Sequence, residues 1–158
     1  MRRPPARAAH GPVRGGETRL EVHRRIVETL AKHHVPSVYG FVNGAKATEH
    51  ADGPAVLEMW RDAGHSLGNH TYSHVDIGQV GVAGFIAEID RNDAFLSALV
   101  GDTPGARRAR RLFRYPYLRQ GPNRETLDAV REHLAANGYR LAEVTIDDDF
   151  ISDLVPDG

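Results

Sequence analysis

The sequence predicts an α/β fold with a mostly parallel sheet, and three observations carry that expectation. Apolar segments of strand length alternate with segments of helical periodicity from residue 20 onward, the succession that produces βαβ units. The chain has 158 residues, about one domain's worth and enough to bury a core. Ligand-capable polar groups follow three of the four strand candidates, at the strand ends where parallel sheets gather their chemistry.

Residues 1–19 hold five Arg, three Pro, three Gly and a single acid, Glu17. So few apolar groups cannot offset the entropy of ordering, which predicts a disordered arm. The arm has no apolar h-region and is not a complete secretory signal; a transit peptide or a polyanion-binding arm is the alternative to a plain leader. Leu20, His23, Ile26, Val27, Leu30 and Ala31 then recur at helical spacing until Pro36. Val35–Val42 reads as a buried strand closed by Asn43-Gly44. Pro54 opens a second helix with Val56, Leu57 and Trp60 inward and Gly64 as its stop. His65–Asn69 is a short strand. Residues 81–100 form a longer helix on Phe85, Ile86, Ile89, Phe95, Leu96 and Leu99. Leu112–Tyr115 is a strand, Thr126–Asn137 a helix stopped by Gly138, and Tyr139–Ile146 a strand that runs into Asp147, Asp148 and Asp149.

Composition excludes several function classes. Hydrophobic residues make up 41% and charged residues 26%, which argues against wholesale disorder. No apolar run approaches the ~18 residues of a membrane span. The absence of cysteine removes disulfides, thiolate metal sites and a cysteine nucleophile. Net charge is −1, so no global field draws the chain to nucleic acid, and the arginine cluster of residues 107–114 is a thin basis for such a partner. Nine histidines direct attention to metal or acid–base chemistry.

Three constellations stand at strand ends. His70 and His74 are four apart; on a helical turn both imidazoles would face one way and could share a divalent ion, or the segment is a polar surface turn. Arg114-Tyr115-Pro116-Tyr117 places a fixed cation past a strand, able to orient a carboxylate, with the Tyr117 N–H available to a developing oxyanion; the alternative is a solvated arginine in an arginine-rich stretch. Asp147, Asp148 and Asp149 could supply a metal ligand or a general base, or form a solvated acidic end.

Gly68-Asn-His-Thr-Tyr-Ser-His74 resembles the H-[ST]-x-x-H motif of the polysaccharide deacetylases, the NodB-homology carbohydrate esterases, and Phe113-Arg-Tyr-Pro-Tyr117 resembles their R-x-P-[YF] motif. Ala31–Val42 resembles the first helix and second strand of that domain, and Gly138–Ala142 with the acidic run resembles its late strand and aspartate motif. Order and spacing agree over about residues 20–150. The resemblance implies a partial, distorted (β/α) barrel over residues 20–158 that removes acetyl groups from N-acetylated or O-acetylated carbohydrate. It implies that His70 and His74 bind a divalent metal, zinc in most members, which activates water and polarises the acetyl carbonyl. It assigns oxyanion stabilisation to the Tyr117 backbone, tethering of the catalytic carboxylate to Arg114, and support of that arginine to Asp147 or Asp148.

The departures from the family pattern carry their own expectation. The family's first motif, T-[FI]-D-D, brings the base and third metal ligand on a strand before the first helix, whereas the first aspartate here is Asp52. The tryptophan near the late aspartate motif and the terminal L-x-H motif, source of the general acid, are also lacking. The reading is therefore a metal-dependent hydrolase with a weakened metal site and weak or lost activity, acting on an acetylated glycan or amino sugar. The alternative is a non-catalytic, glycan- or partner-binding remnant of the same fold. Asp148 is the sole stand-in for the base, and His133 a poor one for the acid because it lies within a helix. Compartment and oligomeric state are left open by the sequence.

Overall fold

The computed structural model describes residues 16–143. Helix α1 (Arg19–Lys32) begins at Thr18, whose hydroxyl accepts the Glu21 N–H while the Glu21 carboxylate accepts the Thr18 N–H, a reciprocal capping box. Thr18 and Arg19, which composition assigns to the arm, thus belong to the helix start; residues 1–15 lie outside the described residues. Strand β1 (Tyr39–Val42) is shorter than the expected Val35–Val42, since Pro36 has no N–H for a ladder. Helix α2 (Gly44–Thr48) was not expected: five residues are too few to show a period. Helix α3 (Gly53–Asp62) has Pro54 in its first turn, and strand β2 (Ser66–Asn69) follows.

Helix α4 (Ile77–Val100) is capped by Asp76 and kinked at Gly81, where φ is 69°. The expected helix from residue 81 matches its long segment; the extra turn before the kink is accommodated by a glycine in the left-handed region. Helix α5 (Pro104–Arg110), unexpected in its arginine-rich stretch, starts from a Thr103 cap. Strand β3 (Leu112–Phe113) leads into a 3₁₀ turn at Pro116–Leu118. Helix α6 (Arg124–Ala136) is capped by Asn123, and strand β4 (Arg140–Leu141) is what the described residues contain of the expected strand Tyr139–Ile146.

All strand pairs are parallel, in the spatial order β1-β2-β3-β4. Sequential order without reversal is the winding of a (β/α) barrel and not of a doubly wound sheet; among the described residues the barrel is not closed. The register sets Val42 beside Asn69, Asn69 beside Phe113 and Phe113 beside Leu141. This row faces the helices. One cluster packs Phe113, Tyr115, Phe85, Ile89, Val130 and Leu134 between β3, α4 and α6; a second packs Val42, Leu67 and Leu96 with Trp60 and Phe95. Side chains alternate along a strand, so Phe41, Gly68 and the residues just past the row turn to the opposite face. A Cβ on Gly68 would lie 2.9 Å from both the Leu112 carbonyl and the Phe41 ring; only glycine lets that ring lie against β2.

The arginine-rich stretch is less solvated than composition suggests. Arg110 is 3% exposed and pairs with Asp93 at 2.9 Å and Asp102 at 2.6 Å, tying α5 to the end of α4.

Candidate metal and catalytic site

The row across the sheet determines what meets beyond it. One residue past Asn69 is His70, and one past Phe113 is Arg114. His70 Nδ1 lies 2.7 Å from the Arg114 carbonyl oxygen. A carbonyl only accepts, so Nδ1 carries the proton and Nε2 keeps its lone pair. The Arg114 guanidinium lies over the Phe41 ring at 4.3 Å, and the Phe41 and His70 rings are 6.1 Å apart. His70 and Arg114 thus share one rim of the parallel sheet. The third residue expected there, Asp147, lies outside the described residues, as do Asp148 and Asp149.

His70 and His74 do come together, but not on a helical turn. Residues 70–76 form no helix; Thr71 and His74 have φ of 62° and 56°. Two left-handed residues fold the segment back so that the imidazole centroids lie 4.9 Å apart. Tyr117, also left-handed at φ 56°, sets its ring 4.6 Å from that of His74. The turn's hydrogen bonds come from Leu118 N–H to the Tyr115 carbonyl and Arg119 N–H to the Pro116 carbonyl; neither uses the Tyr117 N–H. Arg119 pairs with Asp76 and fastens this turn to the start of α4. Left-handed non-glycine residues concentrate at functional sites, and four of the five among the described residues lie in these two loops.

Behind the loop stands a set of amides that sequence reasoning missed. Asn43 Nδ2 donates to the carbonyls of His70 at 2.6 Å and Thr71 at 3.0 Å. Asn69 Oδ1 accepts the Thr71 N–H at 3.0 Å and Asn92 Nδ2 at 2.9 Å. Glu88 accepts from the Ser73 N–H at 2.6 Å and its carbonyl accepts the Tyr72 N–H. The signal for Asn92 was in the sequence: it is the one polar residue of the stripe Phe85, Ile89, Asn92, Leu96, all buried.

Electrostatics favour neutral imidazoles. Burial holds His70 below its ordinary value, with the Arg114 and Lys46 cations acting in the same direction against the pull of the Arg114 carbonyl. Burial, then the His70 ring, then Lys46 push His74 down to about 4. Both are unprotonated at neutral pH, the form that binds metal. The donor set fits a divalent ion in part. His70 keeps the lone pair of Nε2 and the His74 ring lies beside it, but no group of three His, Asp or Glu side chains gathers among the described residues. Arg114 Nε is buried without an acceptor among them, the position a carboxylate would satisfy. A separate cleft of about 350 Å³, lined by Tyr115, Leu118, Gln120, Leu141, Ala142 and Glu143, borders the Tyr117 turn and includes neither histidine.

The polysaccharide deacetylase family model matches residues 11–142. A chitin deacetylase of Arthroderma benhamiae is 27% identical over 134 residues, 84% of this chain and 33% of that protein. A peptidoglycan-N-acetylglucosamine deacetylase of Bacillus cereus is 29% identical over 85 residues, 54% of this chain and 30% of that protein. The chain therefore spans about a third of the length of these curated relatives. A family 4 carbohydrate esterase from Streptomyces lividans, solved in complex with acetate, shares the fold with a TM-score of 0.59 at 24% identity, over 84% of this chain and 57% of that one.

Proposed function

The chain belongs to the polysaccharide deacetylase family, and on that premise we propose that it serves metal-dependent removal of acetyl groups from N-acetylated or O-acetylated carbohydrate. The observation that carries the reading is the paired imidazoles, 4.9 Å apart, with His70 fixed as the Nδ1–H tautomer by the Arg114 carbonyl. Metal-binding histidines are oriented by this kind of outer hydrogen bond. His70 and His74 would hold the ion, zinc by the chemistry of its donors, and when bound it would supply polarisation of the acetyl carbonyl and an activated water.

The remaining roles fall to the chain's own groups. The Tyr117 N–H is offered to the carbonyl oxygen as it gains charge. Arg114, with its buried Nε unpartnered among the described residues, is the group that would tether the catalytic carboxylate, for which this chain offers only Asp148 as a stand-in. Asp147 or Asp148 supports that arginine. With two nitrogen donors the ion is held weakly, and general acid–base catalysis is worth ~10²–10⁴ in rate. We therefore expect the 158-residue chain to release acetate from chitooligosaccharides barely above background. A second reading of the same pair is a glycan- or partner-binding protein of this fold that does no hydrolysis.

Calorimetry with zinc on the wild type, His70→Ala and His74→Ala tests the metal site: weak binding lost in both variants is expected, and affinity unchanged in both would end the proposal. An acetate-release assay with added zinc or cobalt separates the readings. Robust turnover abolished by Asp148→Asn would assign the base to the acidic run and refute the expectation of near-silence.

A further inference from the structure

We propose that Asn92 is a positioning residue for the His70–His74 pair, acting through Asn69 and Thr71. The zinc part of its test rests on the deacetylase reading above; the spectroscopic part does not. Asn92 is fully buried on α4, and every arm of its amide is engaged. Nδ2 donates to the Val42 carbonyl at 2.8 Å and to Asn69 Oδ1 at 2.9 Å, and Oδ1 accepts the Gly44 N–H at 3.0 Å. These bonds join the end of β1, the start of α2 and the end of β2 to a single side chain.

The consequence for the histidines follows from donor and acceptor chemistry. An asparagine amide can rest in either of two orientations that differ in where oxygen and nitrogen point. By donating to Asn69 Oδ1, Asn92 holds the oxygen of Asn69 toward the Thr71 N–H, 3.0 Å away. The flipped amide would set N–H against N–H. Asn69 Nδ2 is then committed to the Ile89 carbonyl at 2.9 Å and the Tyr139 hydroxyl at 3.1 Å. Thr71 sits at φ 62°, a conformation a β-branched residue keeps only where its surroundings over-determine it. Its N–H is held by Asn69 and its carbonyl by Asn43. That reversal lets His70 reach the Arg114 carbonyl and brings His74 alongside. Packing alone does not call for an amide here, since Ile89 and Leu96 fill the same stripe with apolar side chains.

The test uses the full chain, metal-free, with ¹⁵N-labelled histidine, and reads the His70 tautomer from long-range ¹H–¹⁵N correlations at neutral pH. Asn92→Asp keeps the shape and the acceptor for Gly44 but turns an acceptor on Asn69 Oδ1; Asn92→Ser is too short to reach it. Leu96→Ala, on the same stripe, controls for loss of stability. A single Nδ1–H tautomer is expected in the wild type and in Leu96→Ala, with a mixed population in both Asn92 variants. Zinc affinity should fall about 10- to 100-fold in the Asn92 variants and hold in Leu96→Ala. A His70 that stays Nδ1–H in the Asn92 variants, or a Leu96→Ala that disturbs it equally, overturns the proposal. Should neither Asn92 variant fold, exchange of the Thr71 amide in the wild type decides. Protection matching the buried amides of α4 supports the proposal, and rapid exchange refutes it. A wild type that binds no zinc removes the deacetylase reading, and the tautomer result still settles the role of Asn92.

Discussion

A threonine at φ 62° bears a steric cost of about 1–2 kcal/mol, because its Cβ crowds the carbonyl oxygen. Asn69 is one of the groups that hold it there. Replacing Asn69 by Leu leaves the Thr71 N–H and an Asn92 N–H each without a buried partner. A stranded buried polar group costs about 1–3 kcal/mol, so Asn69→Leu should destabilise the chain by roughly 3 kcal/mol or more, read from urea unfolding. At this scale the sequence was informative about which residues meet and misleading about how. Motifs and strand ends point to His70, His74, Arg114 and Tyr117, and the structure sets these four side by side. The i, i+4 spacing suggested a helical turn, whereas left-handed residues close the pair. Single φ values at non-glycine positions leave no pattern in composition or period. Asn92 is 22 positions beyond His70 and meets its neighbour Asn69 only through folding, so its polarity marks it as unusual without saying what it serves.

Elements with a clear period were legible: α1, α3, the long part of α4 and α6 stand where spacing set them. Helices α2 and α5 were not. The first is too short to have a period; the second has a Thr-Pro start, a recognised helix opening, hidden by a run of arginines that reads as surface. Arg110 shows what that run is for. It is 3% exposed and bridges Asp93 and Asp102; without it Asp93, itself 19% exposed, keeps only the longer pairing with Arg111 at 3.8 Å. Removing one partner of a buried pair costs about 3–5 kcal/mol. Arg110→Leu should therefore lower stability by close to 3 kcal/mol, with the melting transition of Arg108→Leu, an exposed neighbour, as the comparison. Gly68→Ala tests the other face of the sheet. A methyl 2.9 Å from the Leu112 carbonyl and the Phe41 ring forces one of them to move, and overpacking of this kind costs about 1–3 kcal/mol. The Phe41 ring is the more mobile neighbour, so the same variant should loosen its contact with Arg114, seen as a change in the Phe41 ring shifts.

For the molecule as a whole, pH acts from the acid side in two windows. His23 accepts the Trp60 indole N–H at 3.0 Å, which joins α1 to α3. Burial holds its pKa below the ordinary 6.5, with Arg19 acting in the same sense and Asp52 against it. The folded state therefore prefers the neutral ring, and that contribution is complete above 6.5 and declines as pH falls below it. Asp102 is held at about 2 by hydrogen bonds from Arg107 and then Arg110, against an ordinary 3.8. Its contribution is complete above 3.8 and declines as pH falls toward 2. Melting temperatures of the metal-free chain should thus drop in two limbs, the first shared by His23 with the similarly lowered His70 and His74, so that His23→Gln reduces its slope in part and Asp102→Asn does the same for the second. A slope below 6.5 that His23→Gln leaves untouched would assign that limb to other groups. The alignment of the site depends on the shortest part of this architecture. Strand β3 has two residues, and a ladder so brief has little grip on its own register. Its alignment is set by the Phe113 ring, fully buried among Phe85, Tyr115 and Tyr139 at centroid distances of 5.0–6.3 Å. A slip of one position would exchange the two faces of the strand and carry Arg114 away from His70. The greasy side of the sheet is thus the vernier for the polar side, and a lineage could retune the distance between His70 and Arg114 by recutting aromatic rings that pack on the opposite face.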